Sequence, residues 1–497
     1  MLYSSTRNDD KMVQSSTAIA QGISEEGGLF VPEFIPTLSY ENIQSMCKMS
    51  YIEKAEYILS KFLTDFTSEE LSDCVNNAYG DGKFDSEEVA PLSKLNDSTY
   101  ILELWHGPTC AFKDMALQLL PHLLTTAVKK TGDDSETVIL VATSGDTGKA
   151  ALEGFKDVEK TKIIVFYPSD GVSPMQKLQM ATQEGGNVSV CAIKGNFDDA
   201  QSGVKNIFTD PEMKKRLLDN NMKFSSANSI NWGRLVPQIV YYFSAYCRLL
   251  EDGEIADKEL VNVVVPTGNF GNILAGYYAK FMGLPINKLI CASNSNNVLT
   301  DFIKNGEYDR NREFYATISP SMDILISSNL ERLLYHVSGC DHELVTELMN
   351  ALKTKGKYKV SDELKAKIND LFAAGYCDEE STKATIKALY DEYSYLCDTH
   401  TAVAVSVYND YVKETNDNTK TIIASTASAY KFPYSVLSCV TDAEGMNDFE
   451  MLEKLSVVTK TEIPENISAL KEKKVRFDTV IDRTDMSSFI ANSLNLK

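Results

Sequence analysis

The stretch ETVILVATSGDTGKAALEGF, Glu136 to Phe155, indicates the fold of the chain. Its apolar run VILVA has the length of a strand and is typical of a parallel strand that is buried on both faces. A turn rich in glycine and polar residues follows, and the remaining residues have the apolar spacing of a helix. We therefore predict a strand, a loop and a helix in this order, which is the repeating unit of an α/β protein.

The same alternation extends in both directions from this unit. Further strands are predicted in STYILEL, KIIVFYP, VSVCAIKG, LVNVVVP, KLICASN and TKTIIAST, with helices between most of them. A helix from about Phe112 to Lys130 should be kinked at Pro121, and the helix that begins at Pro174 should have Ser173 as its N-cap. The pattern predicts an open α/β sheet flanked by helices.

Changes of pattern divide the 497 residues into four predicted regions. Residues 1–92 are mainly helical, 93–255 form a first α/β region, 256–460 form a second one, and 461–497 form a tail. Within the second α/β region, residues 301–396 read as helical and highly charged. We interpret this segment as an insertion, and the sequence does not indicate its role.

Composition and charge argue against several classes of function. The net charge of −21 would repel the phosphate backbone of nucleic acids. The longest charge-free run, Leu260 to Ala279, is interrupted by Pro266 and by glycines and asparagines, so we predict no membrane span. The five histidines form no metal-ligand motif, and we expect no metal. Ten cysteines without a C-x-x-C pair and a polar start predict reduced thiols in a cytoplasmic protein.

Open α/β sheets bind ligands at the carboxyl ends of their strands. Three loops at such positions stand out: TSGDTG at 143–148, PTGNFGN at 266–272 and WHGPTCAFKD at 105–114. In the second loop, Gly268 and Gly271 let the backbone curl around a ligand, and the amides at the helix start favour a phosphate. The loop alone is equally typical of an ordinary strand-to-helix turn, because it lacks the dinucleotide and P-loop patterns.

Lys113, in the third loop, stands where a chain leaving a strand would enter a helix. A lysine must be neutral to form a Schiff base, and burial or a nearby positive potential lowers its pKa. The positive end of the helix dipole disfavours an ammonium at this position. Taken alone, the position is more typical of a solvated lysine, and Asp114 beside it reads as a simple acid at a helix start. A lysine of this kind together with a phosphate-binding loop predicts pyridoxal phosphate as the cofactor.

The motif HGPTCAFKD resembles the lysine motif of the threonine synthases, which belong to the pyridoxal-phosphate enzymes similar to the tryptophan synthase β subunit. Seven further stretches resemble the family in the same order, namely YSSTR at 3–7, EEGGLFVP at 25–32, ATSGDTGKAA, NSINWGRL, PTGNFGN, DTHTAVA and KFP at 431–433. The resemblance is to the larger microbial and fungal branch. It implies two open twisted sheets flanked by helices, the fold type II of these enzymes, with a mostly helical N-terminal domain.

The resemblance also implies how the cofactor is held. Lys113 would form the Schiff base, and Thr426 would face the pyridine nitrogen, although Ser425 and Ser428 are near enough in sequence to leave this assignment open. The cofactor phosphate would lie in a cradle formed by Gly268, Asn269, Phe270, Gly271 and Asn272.

The substrate would lie between two further motifs of the family. Ser144 and Thr147 would receive its carboxylate, with Asp146 placed toward the ring oxygen of the cofactor. Its phosphate would be bound by the donors of NSINWGR, which are Asn228, Ser229, Asn231 and Arg234. His400, in DTHTAVA, is expected to be structural, since a single histidine at a helix start more often is.

The implied reaction is a lyase step of threonine biosynthesis, in which O-phosphohomoserine and water give L-threonine and phosphate through proton transfers at the α-, β- and γ-carbons. Two alternatives remain: a serine/threonine dehydratase of the same fold, which needs no site for a substrate phosphate, and a non-catalytic homologue that binds phosphorylated metabolites. The substrate is in each case a small molecule, and the protein is expected to be a monomer or a homodimer.

Overall fold

Two largely parallel β-sheets flanked by helices form the architecture of the protein. This computed structural model describes residues 1–143, 145–170 and 172–496, without the side chain of Asp198. The strands are β1 Leu2–Ser5, β2 Asn8–Gln14, β3 Phe30–Pro32, β4 Leu92–Lys94, β5 Thr99–Glu103, β6 Glu136–Ala142, β7 Thr161–Pro168, β8 Val188–Lys194, β9 Met222–Ser225, β10 Val261–Pro266, β11 Ile286–Ser293, β12 Glu307–Asp309, β13 Lys357–Lys359, β14 Phe372–Tyr376, β15 Thr421–Ser425 and β16 Val480–Asp482.

Helices cover both faces of the sheets. They are α1 Ser15–Gln21, α2 Tyr40–Met46, α3 Tyr51–Phe62, α4 Ser68–Tyr79, α5 Asp114–Leu117, α6 Leu120–Lys130, α7 Asp146–Phe155, α8 Pro174–Ala181, α9 Phe197–Thr209, α10 Pro211–Asp219, α11 Trp232–Leu235, α12 Gln238–Glu251, α13 Gly271–Phe281, α14 Val298–Asn305, α15 Leu330–Val337, α16 His342–Lys355, α17 Asp362–Leu371, α18 Glu379–Tyr393, α19 Thr399–Thr415, α20 Pro433–Val440, α21 Asp448–Thr459, α22 Glu465–Ser468 and α23 Met486–Ser493. Short 3-10 helices lie at Pro320–Met322, Ala429–Lys431, Ala469–Lys471 and Arg483–Asp485.

The smaller sheet has five parallel strands in the order β16-β8-β7-β6-β9. The stretch from Glu136 forms β6 in its interior, with Ile139 opposite Ile163 of β7 and Ser225 of β9. Ile139 is fully buried, as expected for a parallel strand covered on both faces. The tail supplies the edge strand β16, which the sequence did not predict.

The larger sheet has six strands in the order β14-β11-β10-β15-β5-β4, and only β4 runs antiparallel to its neighbour. Strand β5 therefore pairs with β15, with Ile101 opposite Ile423, although we placed β5 in the first α/β region and β15 in the second. A strand-and-helix pattern identifies strands but does not specify which strands are neighbours. This pairing brings the lysine loop after β5 beside the turn after β15.

All seven strands predicted from apolar runs are found, as is the helix capped by Ser173, whose side chain accepts a hydrogen bond from the Gln176 amide. Strand β14 was missed, because FAAGY lies in a segment whose Ala-rich and charged sequence favours helices. The N-terminal region is mostly helical as predicted. It also contains a three-stranded antiparallel sheet of β1, β2 and β3, whose polar hairpin lacks the apolar alternation of a recognisable strand.

The predicted kinked helix from Phe112 to Lys130 is instead two helices, α5 and α6. Pro121 lies at the second position of α6, where its missing N–H removes no intrahelical hydrogen bond. The proline thus begins a new helix rather than bending one. Among the described helices, none combines the length and the apolar character needed to cross a bilayer.

A close contact between α5 and α7 positions the lysine loop against the turn that begins α7. At Gly154, a Cβ atom would lie 2.0 Å from the carbonyl oxygen of Leu117, so only glycine permits this approach. Lys113 immediately precedes α5 and Asp146 begins α7, and their side chains lie 4.0 Å apart at the other end of α7 from this contact.

We predict that Gly154→Ala destabilises the protein, although alanine is the better helix former. The gain in helix propensity is about 1 kcal/mol, whereas the backbone clash must be relieved by separating α5 from α7, which costs about 1–3 kcal/mol or more for overpacked sites. Urea unfolding followed by circular dichroism should show a lower midpoint for the variant.

Gly203→Ala is the matched control, because a Cβ atom there would meet the sulfur of Met486, the end of a flexible side chain. Its urea midpoint should stay near that of the parent protein. Equal midpoints for the two variants would contradict the close approach of α5 and α7.

Candidate active site

The lysine loop between β5 and α5 is held by its own side chains and by the turn after β15. Asp114 is fully buried and accepts hydrogen bonds from the backbone amide and the hydroxyl of Thr109, at 2.8 and 2.7 Å. The amide of Phe112 donates to the carbonyl of Thr426 at 2.8 Å. Asp114 begins α5 as predicted, but its main contact is inside the loop, and burial raises the pKa of its carboxyl to about 6.

The amine of Lys113 lies in a nearly closed environment, with 13% of its side chain exposed. Its Nζ donates to the hydroxyl of Ser321 at 3.2 Å and lies 4.0 Å from Oδ2 of Asp146. Burial lowers the pKa of this amine to about 8; Asp146 opposes the shift, and the positive charges of Lys431 and Arg234 add to it. We predicted that burial or the helix dipole would lower this pKa; the main cause is burial, and α5 has only four residues.

Asp146 is the carboxylate at the centre of the site. It is buried, and its Oδ1 accepts hydrogen bonds from Nζ of Lys431 at 2.6 Å and from Nε2 of the Gln176 side chain at 2.8 Å, while Oδ2 accepts from Ser321 at 3.3 Å. Burial raises the pKa of Asp146, but Lys431 and Lys113 outweigh it and hold the pKa well below its usual range. Asp146, which we expected near a ring oxygen of the cofactor, therefore lies between the amines of Lys431 and Lys113.

The rest of the SGDTG loop is shaped by Thr143, whose hydroxyl accepts hydrogen bonds from the amides of Gly145 and Gly148 at 3.0 and 2.9 Å. Thr147 is half-buried at the second position of α7. Ser144 lies outside the described residues. The turn thus directs the start of α7 toward the space beside Lys113.

The PTGNFGN loop connects β10 to α13 and curls as the glycines predict. Phe270 has a φ of 61°, in the left-handed region, and a Cβ atom at Gly268 would lie 2.7 Å from the carbonyl oxygen of Ser321. The hydroxyl of Ser327 donates to the carbonyl of Gly268, and the side chain of Asn329 donates to that of Asn269. The predicted insertion therefore supports the cradle, and Ser321 lies against both the cradle and Lys113.

Asn272, at the start of α13, has an amide oriented by two tyrosines. Its Oδ1 accepts hydrogen bonds from the hydroxyls of Tyr241, at 2.7 Å, and of Tyr242. Its buried Nδ2 has no hydrogen-bond partner anywhere in the described parts of the chain. The first amides of α13 also lack intrahelical partners, as at any helix start. This end of the cradle is therefore a set of donors suited to an anion.

The NSINWGR motif places one of its four predicted donors deep in the protein without a counter-ion. Arg234 is 3% exposed, its Nη1 donates to the carbonyl of Ala227 at 2.5 Å, and burial lowers its pKa to about 10. Across the described residues, its Nε has no partner and its guanidinium pairs with no carboxylate. A buried cation of this kind is costly unless an anion neutralises it.

The other three donors of this motif differ in exposure. Asn228 is exposed, and Ser229 accepts a hydrogen bond from Asn329 at 3.2 Å. Asn231 is fully buried, with its Nδ2 donating to the carbonyl of Ile19 and its Oδ1 capping α11 at the amide of Gly233. Both polar groups of Asn231 thus make hydrogen bonds inside the protein, and its Oδ1 holds the start of α11.

The three hydroxyls at the end of β15 and in the turn that follows it are also distinguished by their contacts. Ser425 is hydrogen-bonded to Nε1 of Trp105 at 3.1 Å and to Thr401 at 3.0 Å, and Ser428 caps the short helix at Ala429–Lys431. The hydroxyl of Thr426 bonds to no other group among the described residues, and its backbone holds Phe112 next to Lys113. Of the three, Thr426 therefore has the hydroxyl that no other described group uses.

Sequence reasoning missed Ser321 and Lys431 as parts of this site. Lys431 was noted only as part of KFP, yet it is fully buried against Asp146 and the carbonyl of Thr109. Nothing in the local sequence distinguishes Ser321 from other serines of the charged segment. Within the described residues, no group of three or more His, Cys, Asp or Glu side chains is arranged to hold a metal ion.

Comparison with known proteins relates both the sequence and the fold to one group. Residues 2–79 match the family "Threonine synthase N terminus", 84–426 match "Pyridoxal-phosphate dependent enzyme" and 401–490 match "Threonine synthase, C-terminal". Threonine synthase of Pseudomonas aeruginosa is 39% identical over 437 residues, which are 88% of this chain and 90% of that protein.

Two further proteins extend this comparison. The PLP-bound threonine synthase of Brucella melitensis superposes with a TM-score of 0.88 at 36% identity, over 99% of both chains. Human threonine synthase-like 1 is 42% identical over 436 residues, which are 86% of this chain. The chain spans 58% of the length of that relative.

We predict that Lys113 of the full-length, cofactor-free chain is acetylated by acetic anhydride with a midpoint near pH 8, following its pKa of about 8. Only the neutral amine reacts, so the rate rises with pH, and a solvated lysine would have its midpoint near pH ~10.4. Asp146→Asn removes the carboxylate that raises this pKa and should lower the midpoint by about 1–3 units. Peptide mass spectrometry gives the rate at each pH.

Glu25→Gln is the control for this measurement, because Glu25 pairs with Lys11 at the surface and both side chains are exposed. Its Lys113 midpoint should equal that of the parent. A midpoint near pH 10 in the parent protein would show that the amine is solvated.

Proposed function

The chain belongs to the threonine synthase family of pyridoxal-phosphate-dependent enzymes, and on this premise we propose that it converts O-phosphohomoserine and water to L-threonine and phosphate. The observation that carries the proposal is the buried guanidinium of Arg234, which has no carboxylate partner among the described residues. It adds to the positive potential at Lys113, so an anionic group of a substrate bound at the lysine can neutralise it.

The residues of the site fit pyridoxal phosphate. Lys113 would hold the cofactor covalently, and the first amides of α13 with Nδ2 of Asn272 would hold its phosphate. The hydroxyl of Thr426 would meet the pyridine ring from the turn after β15. When bound, the cofactor supplies an electron sink for negative charge that develops on the substrate carbons.

The chain supplies the proton transfers and the orientation of the substrate. The amine of Lys113, with a pKa of about 8, has an appreciable neutral fraction near pH 7 and can take the proton from the α-carbon. The start of α7, with Ser144 and Thr147, would bind the substrate carboxylate through its amides and hydroxyls. Exclusion of water by the buried surroundings of Lys113 strengthens each of these interactions.

The phosphate of the substrate would lie between the loop of Arg234 and the cradle. Arg234, Ser229 and Asn228 would be its donors, and Asn231 would act by holding α11, which carries the arginine. One arginine and neutral donors suit a group that must be bound and then released as inorganic phosphate.

Two other activities remain as alternatives with less support. A serine/threonine dehydratase has no substrate phosphate, so it gives no reason for a buried arginine without a counter-ion. A non-catalytic homologue needs no amine with a lowered pKa, such as that of Lys113. We also propose a cytoplasmic location, since all ten cysteines, each within the described residues, are free thiols.

We predict that the pyridoxal-phosphate-loaded protein releases phosphate from O-phosphohomoserine and forms threonine in equal amounts. A coupled phosphate assay and amino-acid chromatography measure the two products. Lys113→Ala should abolish both. Keto-acid formation from L-serine or L-threonine, without turnover of the phosphorylated substrate, would establish the dehydratase instead.

We further predict that Arg234→Ala raises KM for O-phosphohomoserine by about 30-fold or more, because a buried charge pair is worth about 2–5 kcal/mol. Circular dichroism should confirm that the variant is folded, and Arg234→Lys should recover part of the affinity. Arg248→Ala is the matched control, since Arg248 is 44% exposed and pairs with Asp252. If KM for Arg234→Ala equals the control value, Arg234 does not bind the substrate phosphate.

A further inference from the structure

Ser321, from the segment whose role the sequence did not indicate, lies between the two groups that determine the reactivity of the site. Its hydroxyl accepts a hydrogen bond from Nζ of Lys113 at 3.2 Å and donates to Oδ2 of Asp146 at 3.3 Å. The amine and the carboxylate are themselves 4.0 Å apart. The serine hydroxyl thus bridges a lysine and an aspartate that would otherwise be free to meet directly.

The other oxygen of Asp146 is already occupied. Oδ1 accepts from Lys431 at 2.6 Å and from Gln176 at 2.8 Å, whereas Oδ2 accepts from Ser321. Without the hydroxyl, Oδ2 would be the open acceptor nearest to Lys113, whose side chain is flexible enough to move about 1 Å. A direct ion pair would then replace the bridged arrangement.

A buried pair, Asp398 and His400, holds Ser321 in position through its backbone amide. The backbone amide of Ser321 donates to Nε2 of His400 at 3.2 Å, and Nδ1 of the same ring lies 2.8 Å from Oδ1 of Asp398. Because Nε2 accepts a hydrogen bond, Nδ1 must carry the proton and donate it to the carboxylate. Both residues are at most 2% exposed, so the ring has little freedom to change this arrangement.

We propose that Ser321 is a positioning residue, which separates the Lys113 amine from the Asp146 carboxylate, and that the Asp398–His400 pair holds Ser321 in place through its backbone amide. The inference rests on the proposed function in one respect: separation from the carboxylate keeps the amine available as the base of the proposed reaction. Its geometry does not depend on the identity of the substrate.

The charged groups that act on the Lys113 amine come from four elements. Asp146 at the start of α7 raises its pKa, as does Asp114 of α5, while Lys431 before α20 and Arg234 of α11 lower it. Asp146 is the one whose distance would change if the bridge were lost. Shortening a 4.0 Å separation to direct contact should raise the pKa of Lys113 by about one unit.

The test is acetylation of Lys113 against pH in the full-length, cofactor-free chain. Ser321→Ala should raise the midpoint by about one unit, which leaves about tenfold less neutral amine at pH 7. Ser321→Thr, which keeps the hydroxyl, should restore the parent midpoint. In an Asp146→Asn background, Ser321→Ala should have no upward effect, because the carboxylate that it would release is gone.

The role of the Asp398–His400 pair is tested by two variants of the histidine. His400→Leu removes the acceptor of the Ser321 amide and should raise the Lys113 midpoint as Ser321→Ala does. His400→Gln can still accept through its side-chain oxygen and should stay near the parent value. Thr354→Ala, which deletes an exposed hydroxyl on α16 of the same segment, is the control and should not shift it.

In the loaded enzyme, Ser321→Ala should lower kcat for O-phosphohomoserine about tenfold at pH 7 with little change in KM, since the base is affected and the phosphate site is not. An unchanged or lowered Lys113 midpoint in Ser321→Ala would overturn the proposal, as would a shift of equal size in Ser321→Thr. If the parent protein did not act on O-phosphohomoserine, the proposed function would fail, but the acetylation midpoints would still decide the role of Ser321.

Discussion

The buried carboxylate of Asp146 is the interaction on which the rest of the site depends. A charge in a protein interior is tolerated only when it is paired and hydrogen-bonded, and Asp146 meets this condition through Lys431, Gln176 and Ser321. Asp146 follows β6 of the smaller sheet, whereas Lys431 follows β15 of the larger one. The ion pair therefore joins the carboxyl ends of both sheets, and it lies beside the amine of Lys113.

The fold was predictable where burial imposes a local pattern. Runs such as VILVA in β6 and VNVVVP in β10 must be strands buried on both faces, and each was found. The pairing of β5 with β15 was not predictable, because their apolar sequences would fit either sheet. Pro121 shows a second limit, since the same residue can bend one helix or begin another, and the choice depends on packing around α5 and α6.

The candidate site also has features that the local sequence indicates and features that depend on folding. Lys113 and the glycines of PTGNFGN were recognisable because their chemistry needs a particular residue at a particular turn. The lowered pKa of Lys113 was expected, but its cause, burial with nearby cations, depends on residues brought together only by folding. Asn231 shows the converse case: the sequence does not reveal that its side chain bonds to the backbone of Ile19 and Gly233 in the folded chain.

The pairing of β5 with β15 has a consequence for the order in which the protein matures on the ribosome. Strands β6, β7, β8 and β9 are close in sequence and can associate early, whereas β5 has only its short neighbour β4 until its parallel partner β15 is made, late in the second half of the chain. The loop that carries Lys113 is likewise secured by a bridge from Ala111 to Ala427. The pocket for the coenzyme can therefore be completed only after this late turn has been synthesised.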